Sequence, residues 1–210
     1  MQKIYYEIID NLTYPRRWQL EGLYEGGGRE LDSRQFTYGL RLDFGPPMKA
    51  MLWNSDLLVE ISPQLRMMIK DSGHNLDFTF DVFNAPVVTR DVARVFEWIA
   101  HRDIQSIPIQ VGSLPQPYII VNVLSRVACL DSERSGAQLF QPGNLIRPDK
   151  VGKAEMVTRL TIDPSRVSGQ DVFRVEEWDG PIIISNLIKD ELECMNISGV
   201  TFRQVSPNSE

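Results

Sequence analysis

Residues 171–205 constrain the fold most, because patterns typical of strands and of a helix alternate there over a short distance. In order, they predict a strand at 172–175, a Gly–Pro turn at 178–181, a β-branched strand at 182–184, a helix after Ser185 with Ile188, Leu192 and Met195 on one face, and a strand at 200–202. The segment therefore predicts a compact strand–turn–strand–helix–strand unit, and it contains no catalytic motif.

The rest of the chain predicts strands interrupted by one regular helix at residues 89–101, whose apolar residues recur on a single face. Strands are predicted at 3–9, 35–42, 48–53, 76–80, 104–111, 118–129 (with a break at Ser125 and Arg126) and 155–162. Residues 57–69 are ambiguous, with a possible helix start at Ser62 and Pro63. We therefore predict an α+β fold, a mostly antiparallel β-sheet with two main amphipathic helices packed on it.

The distribution of these elements also predicts two lobes. The first 85 residues are mostly strand, whereas strands and helices alternate from the helix at Thr89 onward. A chain of 210 residues lies between the usual sizes of one and two domains. We expect a β-rich N-terminal lobe at residues 1–85 and an α+β C-terminal lobe at residues 86–210.

Composition excludes several classes of protein. The net charge is −6 and the Lys and Arg residues are dispersed, which argues against binding to nucleic acid or to an anionic membrane. Cys129 and Cys194 are far apart and have apolar neighbours, so we expect buried free thiols and no disulfide or CxxC metal site. The chain has no signal-peptide pattern and no apolar run long enough to span a membrane, which predicts a cytoplasmic protein.

The sequence offers few groups that could carry out catalysis. His74 lies in a turn and His101 at a helix end, and neither belongs to an HExxH pattern. No GxSxG motif surrounds a serine, and the glycines at 26–28 do not form a phosphate-binding loop. We therefore predict no catalytic residue, no metal and no cofactor.

The acidic run Glu176, Glu177, Trp178 and Asp179 is the best candidate for a functional site. Its acids could form a solvated turn, serve a hydrolase of unknown class that uses Asp or Glu, or contact a basic partner. Trp178 could pack in the core or anchor an interface. We carry these four residues as candidate partner-binding residues. For the chain as a whole, the alternative to a binding protein or a hydrolase is a structural module that self-associates through exposed strand edges.

Several short segments resemble one known protein family. They are PRRWQL at 15–20 (Arg16 stands where the family usually has Gly), PVV at 86–88 with DVARV at 91–95, IPI at 107–109, YIIVN at 118–122, CLD at 129–131, VFR at 172–174 with Trp178 and Gly180, IIS at 183–185, IKD at 188–190 and GVTF at 199–202. Together they resemble the eleventh immunity-protein family of bacterial polymorphic toxin systems. The resemblance extends from residue 14 to 205 and is weakest at 23–75.

This resemblance implies a non-catalytic antitoxin that binds and blocks a cognate toxin protein. In such systems the toxin is often a nuclease, which is usually basic, and the negative net charge of this chain agrees with that partner. The family provides no catalytic residues to carry over, and its motifs do not place the toxin-binding surface. The oligomeric state is not predicted.

Overall fold

The computed structural model describes residues 3–44, 48–51, 58–61, 65–81, 83–143 and 147–206. Within these ranges there are two α-helices, α1 (Arg90–Ala100) and α2 (Asn186–Cys194), and 3-10 helices at Ser33–Thr37, Pro148–Lys150 and Pro164–Arg166. The strands are β1 (Tyr5–Asp10), β2 (Gln19–Tyr24), β3 (Glu30–Leu31), β4 (Met48–Met51), β5 (Leu58–Ile61), β6 (Arg66–Asp71), β7 (Phe78–Phe80), β8 (Pro86–Val88), β9 (Ile104–Val111), β10 (Tyr118–Val123), β11 (Arg126–Val127), β12 (Gln138–Leu139), β13 (Ala154–Met156), β14 (Val172–Val175), β15 (Trp178–Ser185) and β16 (Val200–Gln204).

The strands form two large sheets and two small hairpins within the described ranges. The five-stranded sheet has the order β11-β14-β15-β1-β16, and the seven-stranded sheet has the order β3-β2-β6-β9-β10-β8-β7. Strands β12 and β13 pair with each other, as do β4 and β5. Most pairs are antiparallel, but β6 pairs with β9 and β11 with β14 in parallel. The predicted α+β class is therefore confirmed in outline, with mixed sheets rather than purely antiparallel ones.

One apolar core joins both helices to both large sheets. Phe96 of α1 and Ile188 of α2 pack in a buried cluster with Ile119 of the seven-stranded sheet and Ile184 of the five-stranded sheet. These side chains recur at helical spacing on α1 and α2 and at alternate positions on the strands, so each element turns one face inward. No helix in the described ranges has the length and apolar character needed to cross a membrane.

Several sequence predictions are confirmed in detail. Helix α1 lies between Thr89 and His101, the residues that flank the predicted apolar stripe. Strands β9 and β10 lie within the predicted strands 104–111 and 118–129, and they pair antiparallel. The predicted break in the second strand falls at residues 124–125, just before β11 begins at Arg126. Strands β14 and β16 also lie where their patterns placed them.

Other predictions are wrong for identifiable reasons. The alternating residues 35–42 are not a strand: Asp32 accepts a hydrogen bond from Arg34 N, which starts a 3-10 helix, and Gly39 has a φ of 71°. The ambiguous stretch 57–69 gives β5 and the first part of β6 instead of a helix, while Ser62 and Pro63 lie outside the described residues.

Two further corrections concern the segment that constrains the fold most. Residues 178–181 are not a turn, because β15 begins at Trp178 and runs through Pro181 to Ser185. Helix α2 ends at Cys194, so Met195 caps it and is 41% exposed instead of joining Ile188 and Leu192 inside.

The proposed lobe boundary at residue 85 runs between paired strands. β7 pairs with β8 across it, β6 pairs with β9, and β1 lies inside the sheet formed by β14, β15 and β16. The division into lobes 1–85 and 86–210 stays a prediction, and a cut at that boundary would separate strands that pair with each other in both large sheets.

Candidate functional site

The four candidate partner-binding residues lie together at one end of the five-stranded sheet. Glu176 and Glu177 form the turn between β14 and β15, and Trp178 pairs with Val175 directly after it. Asp179 follows in β15. The run is therefore the tip of a β-hairpin, and all four residues are partly exposed.

Asp179 is held by three cationic side chains. Its Oδ1 accepts from Arg126 Nη2 at 2.5 Å and from Lys153 Nζ at 3.0 Å, and its Oδ2 accepts from Lys150 Nζ at 2.8 Å. Burial opposes the charge on this carboxylate, but the three hydrogen bonds outweigh it and hold the pKa of Asp179 well below its usual range. Asp179 therefore fastens the hairpin to the segments around residues 126 and 150.

The two glutamates of the turn make different contacts. Glu176 Oε2 accepts from Arg126 Nε at 2.6 Å, and the same guanidinium donates to the Thr37 carbonyl oxygen. Glu177 Oε2 instead accepts a long hydrogen bond of 3.4 Å from Leu130 N. Within the described residues Glu177 makes no ion pair, so it is the acid of this run whose charge is most available to a partner.

Trp178 forms one wall of an open groove with a volume of about 320 Å³. The ring also packs against the apolar cluster that contains Phe173 and Ile183, so it is neither fully buried nor fully free. The groove is lined by Glu7, Ile8, Ile9, Asp10, Phe80, Asn84, Trp178, Gly180, Pro181 and Ile182. Both predicted roles of Trp178, core packing and surface anchoring, are thus compatible with its position.

The groove exists because two neighbouring strands part. β1 and β15 pair only as far as Ile8 and Ile182. The next position on β15 is Pro181, which has no N–H to donate to β1. Residues 179–181 also bulge away from β14, because Trp178 pairs with Val175 and Ile182 with Arg174.

The acids that line the groove are already paired. Glu7 Oε2 accepts from both Nε and Nη2 of Arg203, and Asp10 Oδ1 accepts from Arg17 Nη1 at 2.9 Å. Together with the ion pairs of the hairpin, these contacts balance most of the local negative charge. The site is a mixed aromatic and polar groove, not an acidic patch.

The geometry does not resemble a hydrolytic centre. A general acid at neutral pH needs a raised carboxyl pKa, whereas ion pairing lowers that of Asp179. Glu176 and Glu177 occupy a turn, and the described residues hold no group of His, Cys, Asp and Glu that could bind a metal. His74 pairs with Arg17 in an isolated backbone bridge, and His101 caps α1.

Sequence reasoning missed the residues that support the site. Arg126, Lys150 and Lys153 come from segments whose patterns gave no indication that they converge on Asp179. Arg174 gave a weaker signal: it stands inside the apolar strand 172–175, where strand alternation places it on the face opposite Phe173 and Val175. The thiol prediction is confirmed for Cys129, which is buried, and is wrong for Cys194, which is exposed.

Comparison with known proteins identifies the family. The model described as "Immunity protein family (Imm11)" matches residues 102–207, just over half of the 210-residue chain. The match includes the hairpin and the Trp178 wall of the groove, while Glu7, Asp10, Phe80 and Asn84 on the other side lie outside it. No curated protein matches the chain. The chain belongs to the immunity protein family Imm11.

Proposed function

We propose that this chain is an antitoxin of a polymorphic toxin system, which binds a cognate toxin in the cytoplasm and blocks it without catalysing a reaction. Membership of the immunity protein family carries the proposal. A partly exposed Trp178 in an open groove supports it, because binding proteins commonly use aromatic anchors in surface depressions.

The contact surface that we propose consists of the groove and the adjoining hairpin turn, with Trp178 as the anchor and Glu176, Glu177 and Asp179 on the rim. The Trp178 ring is held in place by the apolar cluster beneath it, so a partner side chain that enters the groove meets a preorganised wall. Phe80 adds aromatic surface to the lining. Apolar burial in the groove would then provide affinity, and the polar rim would select the partner.

The charge distribution changes the mechanism expected from the sequence. Glu176 and Asp179 are occupied by Arg126, Lys150 and Lys153, so the hairpin tip is close to neutral. Any attraction for a basic toxin therefore comes from the overall charge of −6 and from Glu177, more than from the acidic run as a whole. That the toxin is a nuclease stays a prediction.

The hydrolase alternative has less support. A volume of about 320 Å³ is at the lower limit of typical ligand pockets, about 300–1,000 Å³, and the depression is open to solvent. Its carboxylates Glu7 and Asp10 each form an ion pair with an arginine, Glu7 with Arg203 and Asp10 with Arg17, so neither is free to converge on a substrate.

The test requires a toxin gene beside the gene of this chain, and that toxin is co-expressed with variants of this chain. We expect Trp178→Ala to weaken toxin binding about 30-fold or more, since an interface hot spot contributes at least about 2 kcal/mol. Trp98→Ala is the matched control, because Trp98 is 87% exposed on α1 and lines no part of the groove.

A variant with a higher dissociation constant for the toxin should also protect growth less well. Glu177→Lys should weaken binding less than Trp178→Ala, because a rim charge mainly affects the association rate. Unchanged binding by both variants, or loss of binding by Trp98→Ala alone, would remove the groove from the proposal. Absence of any binding by the wild-type chain would contradict the antitoxin role with that toxin.

A further inference from the structure

Arg174 is the most unusual residue near the groove. It lies in β14, between Phe173 and Val175, and it is fully buried. Arginine is almost never fully buried unless its charge is compensated. Strand alternation explains why it points inward: its neighbours face the cluster of Tyr5 and Ile183, so Arg174 faces the opposite side of the sheet.

The guanidinium of Arg174 replaces backbone hydrogen bonds that the bulge in β15 has lost. Its Nη1 donates to the Gly180 carbonyl oxygen at 2.9 Å and lies 3.5 Å from the Asp179 carbonyl oxygen. Arg174 and Val175 are adjacent on β14, but their partners on β15 are Ile182 and Trp178. Residues 179–181, which lie between these two partners, form the bulge. Without this donor, the partly buried carbonyl groups of the bulge would lose a hydrogen bond that the strand pairing does not supply.

The same guanidinium also holds the loop before β8. Arg174 Nη2 donates to the Asn84 carbonyl oxygen at 2.8 Å. Asn84 has a φ of 58°, and the loop around it is closed by Asp81, whose Oδ1 accepts from Phe83 N and Ala85 N. Arg174 thus connects a loop of the seven-stranded sheet to the bulge of the five-stranded sheet.

Both connected segments line the groove. Asn84 and Gly180 are lining residues, and a Cβ atom built at Gly180 would lie 3.8 Å from Asn84 Nδ2. Trp178 lies two residues before Gly180 on the same bulged segment. Arg174 is therefore a buried side chain that joins the segment of the Trp178 wall directly to Asn84.

Burying the guanidinium of Arg174 in this way is unfavourable for the stability of the fold. Burial lowers the pKa of Arg174 to about 10, and the charge of Arg126 acts in the same direction, while the carboxylates of Asp81 and Asp179 act against it. Arg174 Nε has no hydrogen-bond partner among the described residues. A well-packed apolar residue is often as good or better for stability at such a position.

We infer that Arg174 is a positioning residue of the toxin-binding groove: by binding the carbonyl groups of Gly180 and Asn84 together, it sets the distance between the groove walls. The inference rests on the proposed function. It predicts that Arg174 acts through Trp178 and Asn84 and does not itself touch the toxin, because it lines no part of the groove.

The experiment compares Arg174→Lys and Arg174→Met with the control Arg94→Lys, whose guanidinium is exposed on α1 and, in the part of the chain that the structure describes, forms an ion pair with Asp91 alone. Lysine keeps the charge but replaces the planar guanidinium fork with a single ammonium, which is poorly suited to holding the two walls at the same distance. Methionine keeps most of the length of the side chain and removes its charge. If Arg174→Met does not fold, Arg174→Lys alone provides the test.

The first measurement is hydrogen exchange of the full chain without toxin. We expect the Ala85 amide to exchange at least about tenfold faster in Arg174→Lys, while core amides of β10 keep wild-type rates. The second measurement is toxin affinity below the thermal transition, where we expect a loss of about tenfold. A purely structural role would lower the melting temperature without a change in affinity of the folded protein.

The outcomes separate the inference from the function on which it rests. Wild-type exchange at Ala85, or wild-type affinity in both Arg174 variants while Trp178→Ala binds weakly, would overturn the positioning role and leave the groove in place. Normal binding by Trp178→Ala would instead overturn the proposed contact surface. Faster exchange at Ala85 together with weaker binding supports the inference.

Discussion

Replacing Asp179 by Asn tests whether the acidic run is a structural ion-pair centre, as the contacts indicate. The substitution keeps the shape of the side chain and removes the charge that Arg126, Lys150 and Lys153 surround at 2.5–3.0 Å. A hydrogen bond to a charged group contributes about 1.5–3 kcal/mol net, but the three share one carboxylate and are not additive.

Solvent screening reduces the expected effect further. The Asp179 side chain is 33% exposed, so a substantial part of the Coulomb attraction is lost to water. We therefore expect the free energy of unfolding to fall by about 2–3 kcal/mol at pH 7. For a chain of this length that corresponds to a decrease in Tm of about 4–12 °C.

The pH dependence follows from the lowered pKa of Asp179 in the folded state. The ionised carboxylate stabilises the fold fully above the unfolded-state pKa of about 3.9, and this stabilisation is lost as the pH falls toward the folded-state value. The difference between wild type and Asp179→Asn should therefore be constant between pH 7 and 5 and shrink below about pH 4.

Urea unfolding followed by circular dichroism measures this difference. Asp190→Asn is the matched control, because Asp190 is 63% exposed and its only ion pair, within the described residues, is a 3.4 Å contact with Lys189. We expect the control to change stability by less than about 0.5 kcal/mol. A change of similar size in Asp179→Asn at pH 7 would refute the interpretation of Asp179 as a structural centre.

Two further predictions concern positions whose surroundings are well defined. Cys194 is exposed and should react with an aromatic disulfide reagent in the native protein. Cys129 is buried, and its pKa is raised to about 12 by burial and by the charge of Glu177, so it should react only after unfolding. Equal reaction rates of the two thiols in the native protein would contradict this. Gly199→Ala should destabilise the fold by more than about 3 kcal/mol in thermal unfolding, because φ is 101° and a Cβ atom would overlap the Phe78 carbonyl oxygen. Gly28→Ala, at a φ of 81° in open space, should cost only about 1 kcal/mol.

The parts of the fold that depend on local periodicity could be predicted from the sequence. The stripe on α1 and the apolar runs of β9 and β10 bury their own faces, so their patterns survive in the structure. Residues 35–42 show how this reasoning fails. Their alternation is typical of a strand, but the side chain of Asp32 and the positive φ of Gly39 favour a 3-10 turn.

The candidate site depends on contacts between distant segments, which single-sequence patterns do not encode. Composition drew attention to Glu176, Glu177, Trp178 and Asp179, but it could not show that cations from residues 126–153 occupy two of them. The groove arises where β1 and β15 part, at strands separated by most of the chain. The family resemblance, by contrast, relies on spaced motifs and is confirmed by the match over residues 102–207.

Titration of toxin activity with this chain tests the central claim most directly, provided that both concentrations are well above the dissociation constant. An inhibitor that only binds gives an endpoint at a fixed molar ratio, close to one if each chain blocks one toxin, and the endpoint does not move with time. We expect this result, with release of active toxin after denaturation of the complex. Progressive inactivation of excess toxin by a small amount of this chain would show turnover and contradict the claim.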